Sequence, residues 1–271
     1  MRTIVVVLTL AVTGVAGRAY SQVPVLPDGA LTHWSIDGPE EIVTWLVFDP
    51  AGVDRLIPAG LRFITVGELA EVGVGWAADQ LLKDPSRAEW GISFLEIVRT
   101  ESFTIDGDAP TWPQDGAAGL WLARVRATDE TTDLGSGQPF LALEFWLPDS
   151  AYVARIREKG HYATYGNVVL RRTEEGKWHG RIDVDGLRVI AECKPTGPIL
   201  GGPGSAGMQV IVPPKSSMAS LVRVAFAGHQ VQRCGEGMPW TLQGSHPLAS
   251  SESVGVAEFQ FGYSLIGGVV F

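Results

Sequence analysis

Sulfur and charge are both scarce in this chain. Among 271 residues there are two cysteines, Cys193 and Cys234, and 19% of side chains are charged. Two isolated cysteines cannot form a tetrahedral zinc site by themselves, and no C-x-x-C pair is present. His33, His161, His179, His229 and His246 show neither H-x-x-x-H nor H-x-H spacing, so no metal is expected. No G-x-S-x-G, phosphate-binding loop or dinucleotide fingerprint occurs, and GVGW at Gly73–Trp76 lacks the third glycine and the strand–helix context. No cofactor is implied. Basic residues number 21 against 30 acidic ones, a net charge of −9. The Arg171-Arg172 pair is flanked by Glu174-Glu175 and reads as a solvated strand end, so the surface repels nucleic acid. Beyond the first residues no stretch approaches the roughly 20 apolar residues that cross a bilayer, and no membrane partner is expected. Internal repeats and heptad runs are missing too.

Hydrophobic residues make up 45% of the chain, which suits a sizeable core. Gly at 33 and Pro at 17 lean toward many short strands joined by turns. Met1–Arg2, the apolar run Ile4–Val12 and the small residues before Ala19-Tyr20-Ser21 read as a targeting segment spanning 1–21. The alternative is a buried first strand, but Pro24 and Pro27 follow at once and read as an exposed mature start. A periplasmic or secreted location is the expectation. Removing 1–21 would leave 19 basic against 30 acidic residues, a net charge of −11. In an oxidising compartment Cys193 and Cys234 either pair or remain two buried thiols; pairing would stabilise by about 3–4 kcal/mol in the chain-entropy model.

Residues 22–271 read as one domain. Asp49-Pro50 supplies a capping acid before a first-turn proline, and Val53, Leu56 and Ile57 share one helical face before Pro58. A second helix is expected from about Asp149 to Lys159, with Tyr152, Val153 and Ile156 as its apolar stripe and Gly160 as its stop. Elsewhere alternating or continuous apolar runs predict strands, among them Ile42–Phe48, Gly91–Val98, Leu120–Arg126, Phe140–Leu147, Lys177–Val184, Leu187–Cys193 and Val254–Phe261. Gly197–Gly207 (GPILGGPGSAG) reads as a flexible loop inside the domain. The expected fold is mainly β (α+β), a large antiparallel barrel or cone with a few short helices.

Three stretches together resemble the acetoacetate decarboxylase family. FDPAGVDRLIPAGL (Phe48–Leu61) is similar to its early strand–helix unit. LPDSAYVARIREKGHYATYGN followed by GKWHGRIDVDGLRV, within Leu147–Val189, is similar to its helix, active-site segment and hairpin. SHPLA (Ser245–Ala249) and the hydrophobic end LIGGVVF resemble its tail. The resemblance implies a curved β cone around an apolar pocket, and an assembly of like subunits. It also implies imine chemistry at a lysine whose pKa is lowered by a desolvated pocket and a neighbouring positive charge, a mode of activation for which acetoacetate decarboxylase is the general example. Thr164 and Tyr165 stand at the paired-lysine positions here, and neither forms an imine. Val47 stands where the family places an arginine for the substrate carboxylate.

What remains is a set of groups for non-covalent acid–base chemistry. His161 and Tyr165 can donate or accept a proton, and Tyr162 and Thr164 can orient a ligand carbonyl. These residues are equally well read as strand-edge polar groups. Glu96, inside the apolar Ile92–Val98, would have a raised pKa if buried, or would point to solvent. Glu144 in LALEFWL is a similar case, and Val47 and Glu144 complete the substrate-binding set. His246 is expected to cap a turn. Trp76, Trp90, Trp121 and Trp146 line a ligand pocket or, more commonly, fill a β core. The ligand class that follows is a small apolar carbonyl or aromatic compound, converted by lyase or isomerase-type chemistry. The alternative is a non-catalytic carrier or sensor. Lys194, after Cys193 near a strand end, and Lys215, after Pro213-Pro214, are expected to be exposed and so not to restore imine chemistry.

Overall fold

The computed structural model describes residues 33–113, 115–128, 139–158, 163–201, 205–212, 220–235, 240–262 and 264–270. The expected targeting segment 1–21, His161, Tyr162 and Lys215 lie outside the described residues.

Strands dominate, as the apolar alternation predicts. The first third carries β1 (His33–Asp37), β2 (Glu40–Phe48), β3 (Leu61–Phe63), β4 (Gly91–Arg99) and β5 (Ser102–Ile105). The middle carries β6 (Ala118–Ala127), β7 (Pro139–Leu147), β8 (Thr164–Tyr165), β9 (Asn167–Arg172), β10 (Trp178–Val184) and β11 (Leu187–Cys193). The last third holds β12 (Pro195–Gly201), β13 (Ser205–Val212), β14 (Ser220–Ala227), β15 (Gln230–Cys234), β16 (Trp240–Gly244), β17 (Glu252–Phe261) and β18 (Ser264–Val270). Two sheets result. The larger runs β12-β15-β17-β2-β4-β6-β7-β13-β14-β18-β1-β5, with β3 on β6 and β8 on β7; the smaller runs β16-β11-β10-β9.

The large sheet is sharply curved without being a closed barrel. The hydrogen-bonded pair β2–β4 turns a corner at Gly38 and Thr100 and continues as β1–β5. Gly38 has φ +56°, and a Cβ there would lie 2.9 Å from the Glu101 side chain, so the corner requires glycine. Beyond it Phe103 and Ile105 of β5 pack back onto Val98, Ala118 and Phe145, making that face of the sheet concave. Of the expected cone or barrel, the open form is the one found: the edges β12 and β5 are not paired with each other.

The small sheet covers the opposite, outer face. Ile42, Leu46, Leu95, Ile97 and Trp121 of the large sheet interlock with Val168, Leu170, Trp178, Ile182 and Val189 of the small one. Contact is so close that a Cβ on Gly180 would meet the Cδ1 atoms of Ile42 and Ile97 at 2.8 Å each. Trp121 and Trp146 are almost fully buried in this layer, and Trp121 Nε1 donates to Ser93 Oγ at 2.9 Å. Tryptophan thus serves the core at these positions.

Helices cap both ends of the concave face. α1 (Val66–Glu71) and α2 (Gly75–Lys83) seat Val66 and Ala77 on Val47 and Ile92. α3 (Ser150–Glu158) lays Tyr152, Val153 and Ile156 on Phe145 and Leu147, the stripe expected from the sequence. Asp49 caps as expected, accepting from the Ala51 N–H at 3.0 Å, yet two short 3-10 turns, Pro50–Gly52 and Asp54–Leu56, replace the expected helix. The short stretch between Pro50 and Pro58, with Gly52 in it, is too brief to repay helix nucleation. The expected loop Gly197–Gly207 is instead largely strand, because β12 and β13 take up ladder positions beside β15 and β14.

Cys193 and Cys234 form a disulfide that links the end of β11 in the small sheet to the end of β15 in the large one. The chain separation is 41 residues. Replacing both by serine is expected to lower unfolding stability by about 2–4 kcal/mol. Denaturant unfolding of the variant beside the wild type, each with and without reductant, checks this; reductant should shift only the wild type.

Candidate functional site

Strand register decides which side chains share the concave face, because directly paired residues point the same way. Val43 pairs with Glu96, Glu96 with Leu120 and Leu120 with Phe145, while Glu41 pairs with Val98 and Val98 with Ala118. On the other flank Glu258 pairs with Val43 and Gln260 with Glu41. Arg233 then pairs with Glu258. The middle of the concave face, between the helices at its two ends, therefore holds Glu41, Glu96, Glu258 and Gln260, with the exposed Arg233 beside Glu258. Around them lie the buried side chains of Val43, Phe94, Leu122, Phe140 and Ala142.

The electrostatics follow from this crowding. Glu41 is buried at 3% exposure and Glu96 is partly buried one diagonal step away on the neighbouring strand. Loss of hydration, reinforced by the negative charge of Glu41, pushes the Glu96 carboxyl well above the usual carboxylate range. Glu258 is also raised by loss of hydration, with Arg233 opposing the shift. His229 Nε2 lies 2.5 Å from Gln260 Oε1, and Gln260 Nε2 donates to Glu258 Oε2 at 3.4 Å. Because the Gln260 amide nitrogen faces the carboxylate, its oxygen accepts from the Nε2–H of His229. The result is a polar row running from His229 to Glu96 across three strands. Beside it is a small apolar cavity of about 30 Å³ lined by Ile36, Val98, Phe103, Ala118, Leu120 and Phe145, among others.

Of the residues singled out from the sequence, Glu96 joins this row. Val47 lies on the same face but is fully buried beneath α1 and α2. Glu144 lies on the outer face, paired with Trp121, and its Oε1 is 3.6 Å from His246 Nε2. His246 caps a turn as expected, its Nδ1 accepting from the Leu248 N–H at 3.2 Å. Thr164 and Tyr165 form β8 beside the end of β7. The Arg157 guanidinium binds Ala163 O at 2.5 Å and reaches Thr164 Oγ1 at 3.4 Å, while Tyr165 is 55% exposed. The structure thus separates Tyr165 and Glu144 from Glu96.

Sequence reading missed Glu41, Glu258, Gln260, His229 and Arg233. Ala257-Glu258-Phe259-Gln260-Phe261 carries a period-2 signal, polar and aromatic in turn, that could have found two of them. Of the described lysines, Lys83 and Lys194 are exposed and Lys177 is ion-paired with Glu192 at 3.0 Å. None of these three lies on the concave face.

Solved structures of acetoacetate decarboxylase-like proteins are similar to this chain over nearly its whole length. An acetoacetate decarboxylase-like enzyme from Sphingomonas wittichii RW1 is 15% identical with a TM-score of 0.49, covering 94% of this chain and 98% of its own. The enduracididine biosynthesis enzyme MppR complexed with pyruvate is 14% identical with a TM-score of 0.48 and the same coverage. A structure of acetoacetate decarboxylase is 12% identical with a TM-score of 0.49, covering 92% of each chain. No family model and no curated protein matches the sequence. At such low identity, chemistry has to be read from this chain's own side chains.

The raised Glu96 pKa has a consequence for stability. Folding makes this group hold its proton more tightly than the unfolded chain does. Its contribution is full below the unfolded pKa and is lost as pH rises toward the elevated folded value. Glu96→Gln, which mimics the protonated form, is expected to unfold at a higher temperature than wild type at about pH 8. That difference should vanish near pH ~4. Thermal unfolding across this range checks the sign, and a pH-independent difference rejects the assignment.

Proposed function

We propose that this chain binds a small, mostly apolar carbonyl or aromatic compound against the concave face and moves protons on it through Glu96 and Glu41. The observation that carries this reading is the placement of two glutamates on adjacent strands of one apolar, largely dehydrated surface. Like charges so placed do not both ionise readily, so one carboxyl holds a proton while the other remains a base. A protonated Glu96 can donate to a carbonyl oxygen, and the carboxylate of Glu41 can take a proton from the adjacent carbon. That pair of transfers is enolisation, the common step of isomerisation, dehydration and hydration. No electron sink is needed, in keeping with Thr164 and Tyr165 in place of lysines. We further propose that the mature chain acts outside the cytoplasm; the apolar start of the sequence and the Cys193–Cys234 bond support this.

Exchange of α-protons tests the reading without knowledge of the natural substrate. A panel of enolisable aryl ketones in D₂O, followed by proton NMR, is expected to show exchange catalysed by wild type. Glu96→Gln and Glu41→Gln should each slow it about 100-fold or more. Equal exchange in all three proteins excludes the acid–base role, and tight binding without exchange makes the chain a carrier. Borohydride treatment with a ketone present should leave the protein mass unchanged; a stable adduct would restore imine chemistry.

A further inference from the structure

Arg124 is a charged side chain on the concave face that no carboxylate among the described residues meets. It sits on β6 with its side directed like that of Phe140, its partner on β7, next to Leu122. Only 7% of it is exposed, and its Nε is buried without a hydrogen-bond partner. The contrast with other arginines is sharp. Arg62 and Arg126 both meet Glu68, Arg99 meets Glu40, and Arg181 and Arg188 both meet Asp183. Among the described residues no carboxylate, carbonyl or hydroxyl accepts from the Arg124 side chain, although the chain has 30 acidic residues. Burying a guanidinium costs its hydration, and arginine does not shed its charge to escape that cost. Such a group is retained where an anion arrives from outside to pair with it, and the planar fork suits a carboxylate.

We propose that Arg124 binds the carboxylate of the ligand, so that the molecule taken on the concave face is a small apolar carboxylic acid lying along β6. This rests on the reading of that face as the ligand site. Register sets the length of the molecule. Glu96 pairs with Leu120, and Arg124 lies four residues farther along the same strand, about 13 Å at the usual rise per residue. Phe94 and Leu122 fill the interval. The reach of both polar side chains shortens the gap to roughly that of an aryl or short alkyl spacer. A ligand with a carboxylate at one end, an apolar middle and a carbonyl or polar group at the other matches the sequence of surfaces from Arg124 to Glu96.

The test compares 4-phenylbutyrate with 4-phenylbutanamide, which differ in the charge of one end, by calorimetric titration of the full mature chain. Wild type is expected to bind the acid at least tenfold more tightly than the amide. Arg124→Met should erase that preference while unfolding no more easily than wild type, since no ion pair among the described residues is lost. Glu96→Gln should retain the preference, which separates failure of the acid–base reading from failure of this one. Should Arg124→Met not fold, Arg124→Lys, which keeps charge but loses the fork, is expected to reduce the preference severalfold. Equal affinity of wild type for acid and amide, no binding of either at millimolar concentration, or a preference that survives loss of the guanidinium overturns the proposal.

Discussion

The packing of the small sheet onto the outer face of the large one is the contact on which the rest depends. It buries Trp121, Trp146, Ile42, Leu46 and Ile97 in one layer and requires Gly180 where the two sheets touch. Once that face is occupied, the hydrophobic driving force for the fold is largely met there. The other face is free to curl around itself at Gly38 and to carry groups that a core would not tolerate. The disulfide ties the same two layers together two residues beyond Ala191, the strand partner of Gly180.

Electrostatics on the concave face are set by enclosure rather than by strong ion pairs. Helices α1 and α2 close one end, α3 and the returning β5 close the other, and the apolar side chains between them deny water to Glu96 and Glu258. Carboxyls in such a setting hold protons at pH values where exposed ones have lost them. A guanidinium in the same setting stays charged. The face therefore has a proton-bearing row across its middle and a fixed positive charge four residues farther along β6, with Leu122 between.

Much of the scaffold is legible along the chain. Alternation marks β10 and β11, and a capping aspartate with a Tyr152–Val153–Ile156 stripe marks α3. The SHPLA pattern points to His246 as a turn cap, and its ring nitrogen does cap one. The helix α1 escapes notice even though Thr65 and Glu68 form a capping box, because only six residues follow and the apolar stripe is too short to register. β12 escapes because glycine and proline dominate it; its ladder with β15 comes from the partner strand, not from local preference. On the concave face Glu96 is legible as an acid within an apolar strand. Glu41 stands beside Glu40 at a strand start and looks like surface.

Local sequence settled which residues of a strand share a side, since side chains alternate with period two whatever the fold around them. It also settled that a covalent amine is missing from the segment where the resemblance would place one. It could not settle which side faces inward. Glu96 in FLEIV and Glu144 in ALEFW are nearly alike as text, yet one faces the concave surface and the other faces His246 across the core layer. Only long-range pairing distinguishes them. Register between β4, β6 and β7, with a bulge between Trp121 and Leu122, is fixed by contacts among residues far apart in the chain, and no local window contains that information.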